Sequence, residues 1–129
     1  MQMMDLYNLK VKLNQYNNDF YFHNTYRYNF VTKPQYGKLN SKDKESRGFK
    51  YPNGKDFRNY KKLFVPINQY DNHWTLCVID VEHHFLFHYN SRLDATKDTT
   101  KVMSNIDKLL DYEYTCCNLK KVKNKNGVG

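Results

Sequence analysis

No stretch of this chain is apolar for long. Its longest hydrophobic runs, 63–67 and 76–79, fall far short of the roughly 20 residues needed to cross a bilayer, which excludes a helical membrane span. Residues 1–13 contain no apolar core of signal-peptide type, so secretion is not expected. Cysteine is sparse and odd in number. Cys77, Cys116 and Cys117, the last two adjacent, do not make a disulfide framework. A reducing intracellular compartment, nucleus or cytoplasm, is the expectation. Internal repeats are lacking too, which excludes solenoid and propeller architectures.

What is present is aromatic and basic. A chain of 129 residues carries one domain's worth of core, and the 40% hydrophobic fraction, with 12 Tyr and 8 Phe, supplies it despite a mean hydropathy of -0.92. Lys and Arg number 21 against 13 Asp and Glu, a net charge of +8. The excess is only partly clustered: Lys120, Lys121, Lys123 and Lys125 make a basic tail, while 38–62 mixes Lys and Arg with Asp43, Glu45 and Asp56. That pattern reads as a solvated surface and a charged end, and nucleic acid is not the expected partner.

Periodicity sketches an α+β arrangement. Leu6, Leu9 and Leu13 have the spacing of a short amphipathic helix over 5–13. The aromatic segment 20–30 suits strand or helix half-buried on a core, and the alternative use of its tyrosines with Arg27 and Lys33, stacking single-stranded nucleic acid, is the rarer one. Residues 34–54, with Gly37, Gly48, Pro52 and Gly54 among charges, read as a long surface loop, so that 1–60 make an aromatic N-terminal shoulder and loop, 61–114 a core of sheet plus helix, and 115–129 a basic tail. Within the core, 63–67 predicts a strand, 68–72 a turn, 74–81 a strand covered on both faces, and 85–89 a third strand after a tight connection at Glu82 and His83. Val102, Ile106, Leu109 and Leu110 lie on one face of a predicted helix over 96–114, with Asp94 or Thr96 available as its cap.

The region 63–91 is specific beyond its periodicity. It reads Phe64-Val65-Pro66-Ile67-Asn68, a short turn, His73-Trp74-Thr75-Leu76, Val78-Ile79-Asp80, then Tyr89-Asn90-Ser91. In order and spacing it resembles the ubiquitin-like-protein-specific cysteine proteases, the family that matures and deconjugates SUMO and related modifiers. The aromatic segment Phe22-His23-Asn24-Thr25-Tyr26-Arg27-Tyr28 and the helix at 96–114 also fall where that family has counterparts. The resemblance implies a papain-like cysteine protease fold of the ubiquitin-like-protein protease type, incomplete at the C-terminus.

The resemblance also implies roles. A cysteine nucleophile needs an imidazole to take its proton and an acceptor to orient that imidazole. His73 corresponds to the general base and Asn90 to the orienter, in a position where the family usually has Asp. Trp74 corresponds to the wall of the tunnel that admits a C-terminal diglycine, and it is the sole Trp, so the opposing Trp of the family has no counterpart. The expected partner is a ubiquitin-like, SUMO-like protein and its conjugates, without cofactor, metal or membrane.

The nucleophile is where the resemblance stops. The family carries it in Asp-Cys-Gly, with a Gln upstream as oxyanion donor, and no Asp-Cys-Gly occurs here. Cys116 and Cys117 sit at the predicted helix end with neither neighbour, and packing is their expected role. Val122-Lys123-Asn124-Lys125-Asn126-Gly127-Val128 tracks the approach to that motif, with Asn124 or Lys125 at the Gln position. The expectation is therefore a chain inactive as a protease by itself. A binding module without cleavage, or a basic nucleic-acid-binding protein, is the alternative. Cys77 is expected in the core, Asp80 at a strand end, and His83, His84 and His88 without metal, since zinc ligands converge at tighter spacing.

Overall fold

The computed structural model describes residues 7–10, 12, 19–69, 73–90, 96–120 and 125–128. They form a five-stranded sheet in sequential order, crossed on one face by a long helix. Strand β1 is Phe20–Phe22, β2 Lys62–Gln69, β3 His73–Asp80, β4 Phe85–Tyr89 and β5 Lys125–Val128. Helices are α1 at Arg27–Val31, α2 at Ser41–Ser46 and α3 at Thr96–Cys116. The central three strands are antiparallel, while β1 joins β2 and β5 joins β4 in parallel. Parallel neighbours require crossovers, here the 23–61 connection and α3.

Register divides the side chains. Leu63, Val65 and Ile67 on β2 stand opposite Ile79, Cys77 and Thr75 on β3, and Leu86 and His88 on β4 continue the row. This face packs under Val102, Ile106, Leu109 and Leu110 of α3, all of them 0–2% exposed. Full burial of aliphatics of this size contributes roughly 1.5–3 kcal/mol each. The opposite face carries a smaller cluster, Phe64 and Leu76 with Phe20, Phe22, Trp74 and Val78 packed around them. Pro66 is tolerated in β2 because β1 ends opposite Phe64, so beyond that point no strand among the described residues needs its missing N–H on that side.

Several boundaries moved. The first core strand runs on through Asn68 and Gln69, beyond the 63–67 that its apolar run predicts, because both pair with β3, opposite Trp74 and His73. The helix is two residues longer than its spacing predicted, ending at Cys116. The aromatic segment divides into β1 and α1. Residues 7–10 and 12 are helical, while Leu6 and Leu13 lie outside the described residues, as do 70–72 and Asp94.

The surface-loop reading of 34–54 is corrected. The segment contains α2, capped at Asn40 by reciprocal bonds with Asp43, and it buries Tyr36 and Phe49 in the main core. Composition misled here, because a few large aromatics anchor a segment whose remaining residues face solvent. Tyr28, Phe30, Phe57 and Tyr60 join the same core, so the N-terminal half packs directly with the sheet and α3.

Candidate active site

His73 opens β3, and Asn90 directly follows the last residue of β4. The β3–β4 ladder ends at Leu76 opposite Tyr89, which leaves both residues at the same open edge of the sheet. His73 Nε2 lies 2.9 Å from Asn90 Oδ1, across 17 residues of sequence. An amide oxygen only accepts, so Nε2 carries the hydrogen and donates, and Nδ1 keeps its lone pair. Chemically this is an imidazole oriented through Nε2, with Nδ1 left to exchange a proton.

A second histidine braces the site from beneath. His88 is fully buried, with Nε2 at 2.9 Å from Thr75 Oγ1 and Nδ1 at 3.0 Å from Thr99 Oγ1. Thr75 and His88 are each two residues from His73 and Asn90 on the same face, so this bond ties the two strands together just below the pair. Thr99 fastens the first turns of α3 to that tie. Trp74 points to the other face, where it packs with Phe64 and Leu76. The remaining expected histidines lie elsewhere: His83 bonds Asp80 at 3.0 Å in the turn after β3, and His84 there has φ 55°. Asp80 does end its strand, and it accepts from the His83 backbone N–H at 2.9 Å.

The three thiols are all remote from the imidazole. Cys77 is fully buried in mid-strand, and burial pushes its thiol up to about 12. Thr99 contacts His88, whereas Cys116 lies roughly 25 Å further along the α3 axis at 1.5 Å per residue. Cys116 and Cys117 instead line a cavity with Lys44 and Asp56. Lys125, expected near an oxyanion position, begins β5 opposite Phe85, at the far end of β4 from Asn90; Asn124 lies outside the described residues.

One buried polar network escaped the sequence reading. Arg27 is 1% exposed and donates to Glu113 Oε1 at 2.5 Å, Tyr36 Oη at 2.9 Å and the Phe49 carbonyl at 3.2 Å. Tyr51 Oη adds a bond to Glu113 at 3.3 Å and one with His23 Nε2 at 3.1 Å. Although burial opposes its charge, Glu113 holds the Arg27 guanidinium firmly protonated, while burial and the Arg27 charge push His23 well below the usual imidazole range. Arg27 is therefore a core group and not available to stack nucleic acid. The signal was legible, since Glu113 sits four residues after Leu109 and three after Leu110, on the apolar face of the helix, where a carboxylate needs a buried cation.

Comparison with known proteins agrees with this architecture. The family model described as Ulp1 protease family, C-terminal catalytic domain, matches residues 1–126. The chain belongs to the Ulp1 protease family. Its fold is similar to solved Ulp1 structures. One is the SUMO protease Ulp1 with its catalytic cysteine oxidised to a sulfonic acid, with a TM-score of 0.65, 15% identity, and 89% of this chain and 50% of that chain covered. Another is the C-terminal Ulp1 protease domain in complex with Smt3, the yeast ortholog of SUMO, with a TM-score of 0.64, 15% identity, and coverage of 88% and 48%. Xanthomonas XopD matches with a TM-score of 0.51 at 17% identity, over 95% of this chain and 66% of that one. No curated protein matches significantly in sequence. The chain spans about half the length of the Ulp1 structures that it matches. It has the α+β fold of the family, and among the described residues no helix is long and apolar enough to cross a membrane.

Proposed function

We propose that this chain supplies the histidine half of a SUMO-type cysteine protease that hydrolyses the bond after the C-terminal diglycine of a ubiquitin-like protein. The observation that carries this reading is the 2.9 Å bond between His73 and Asn90 in a chain of the Ulp1 family. His73 is the general base, Asn90 its orienter and Trp74 the tunnel wall. The basic ring nitrogen takes the proton of a thiol, the thiolate attacks the carbonyl after the diglycine, and the imidazolium returns the proton to the leaving amine. Water then hydrolyses the thioester. The neutral Asn90 amide orients the ring but lacks the negative charge that would stabilise the imidazolium, as in the Cys-His-Asn arrangement of papain-like enzymes.

The topology supports a nucleophile that follows β5. That strand runs parallel to β4 and reaches Val128 opposite His88, two residues short of Asn90, so a continuing chain would emerge at the His73–Asn90 edge. The test is to read the transcript and locus past codon 129. An in-frame Asp-Cys-Gly supplies the nucleophile, and the longer polypeptide then cleaves a SUMO-type precursor and loses at least about a thousandfold in rate on His73→Ala. A longer polypeptide that carries the motif but cleaves nothing, or that is indifferent to His73→Ala, refutes the assignment.

The remoteness of Cys77, Cys116 and Cys117 from His73 favours a second reading for residues 1–129 taken alone, in which they bind a ubiquitin-like protein without cutting it. Saturable binding that survives His73→Ala, with no cleavage, fits this reading. Detectable cleavage by purified 1–129 overturns it.

A further inference from the structure

A cavity of about 450 Å³ opens between α2, the turns at 50–58 and the C-terminal end of α3, at the opposite end of the helix from His73 and Asn90. Its wall carries five cationic side chains: Arg27, Lys44, Lys50, Lys55 and Arg58. Only two carboxylates share the wall, and both are already paired, Glu113 with Arg27 at 2.5 Å and Asp56 with Arg58 at 2.7 Å. Three ammonium groups are left without a carboxylate partner among the described residues. Lys44 is held by soft groups instead, its Nζ lying 3.4 Å from Cys116 Sγ and 4.7 Å from the centre of the Tyr112 ring. Lys55 lies over the Tyr60 ring at 5.7 Å.

From this arrangement we infer a binding site for a small polyanion bearing a diphosphate group. A concave wall with five cations and two already paired carboxylates carries a net positive charge, which an anion held there would neutralise. A cavity of this volume falls in the range of small-ligand sites and holds a diphosphate with room for one attached group. Lysine ammoniums bind phosphate as point charges without demanding one geometry, which suits three side chains arriving from different segments. The site shares no residue with the His73–Asn90 pair and does not depend on the proposed proteolysis.

Cys116 provides a reporter, because it is exposed and lines the cavity beside Lys44. Residues 1–129 are titrated with inorganic pyrophosphate, ADP and adenosine at low ionic strength, with binding followed by calorimetry and by the rate at which N-ethylmaleimide labels Cys116. Saturable binding of pyrophosphate and ADP is expected, adenosine not binding and Cys116 labelling slowing several-fold at saturation. Each of Lys44→Gln and Lys55→Gln weakens binding about fivefold, the effect of losing one close charge in a mostly aqueous site. The control Lys33→Gln, away from the cavity, leaves it unchanged. No saturable pyrophosphate binding, binding of ADP without pyrophosphate, or affinity indifferent to Lys44→Gln and Lys55→Gln would each overturn the proposal.

Discussion

Replacing Glu113 by glutamine removes one charge from the centre of the molecule while keeping shape and an acceptor oxygen. The side chains of Arg27 and Glu113 are 2% and 8% exposed, so neither charge is solvated once its partner is gone. Breaking such a pair from one side costs about 3–5 kcal/mol, because the remaining charge stays buried and uncompensated. Arg27 keeps Tyr36 and the Phe49 carbonyl, which places Glu113→Gln near the lower end, about 3 kcal/mol. Arg27→Met leaves the carboxylate with the Tyr51 hydroxyl as its one donor among the described residues and costs about as much or more. The double variant Arg27→Met/Glu113→Gln buries no charge, and its cost falls to the lost polar partners of Tyr36 and Phe49, about 1–3 kcal/mol. The two changes are therefore coupled by at least about 2 kcal/mol. Urea denaturation read from the fluorescence of Trp74, the sole tryptophan, measures the cycle. Single and double variants that add within about 0.5 kcal/mol would falsify the account of α3 as locked to the N-terminal half by a buried ion pair.

Other consequences concern protons and the brace beneath the site. His23 titrates well below its unfolded value of 6.5 because of burial, then the Arg27 charge, so below pH 6.5 the unfolded chain binds the extra proton and stability is lost as pH falls, by up to about 1.4 kcal/mol per pH unit. Denaturation midpoints between pH 7 and pH 5 check this, and His23→Gln flattens the slope. At the alkaline end Cys77 and Tyr36, both raised by burial to about 12 from 9.0 and 10.0, are ionised first in the unfolded chain, so stability declines as pH climbs above 9. A midpoint unchanged between pH 8 and pH 11 contradicts that assignment. His88→Leu removes the bonds to Thr75 and Thr99 and costs about 2–3 kcal/mol. It also broadens or shifts the His73 imidazole signals in NMR, whereas a change confined to α3 leaves them in place.

The sequence determined the strands expected at 63–67, 74–81 and 85–89 and the helix that follows them, because short apolar runs, alternation and helical spacing are local signals that convert directly into buried faces. It also determined the pairing of His73 with Asn90, since two strands joined by a tight turn return their outer ends to one edge. The tertiary structure decided what local rules do not contain. Tyr36 and Phe49 enter the core from a segment whose composition is that of a loop, because a few aromatic anchors outweigh many solvated neighbours. Arg27 and Glu113 meet across 86 residues, and nothing near either one names its partner. The basic tail gives β5 beside β4, where the sequence has no apolar alternation, because an open sheet edge offers backbone hydrogen bonds to any extended segment that reaches it. Local pattern speaks for residues that bury themselves against their own element, and long-range contact alone selects the polar groups buried between elements.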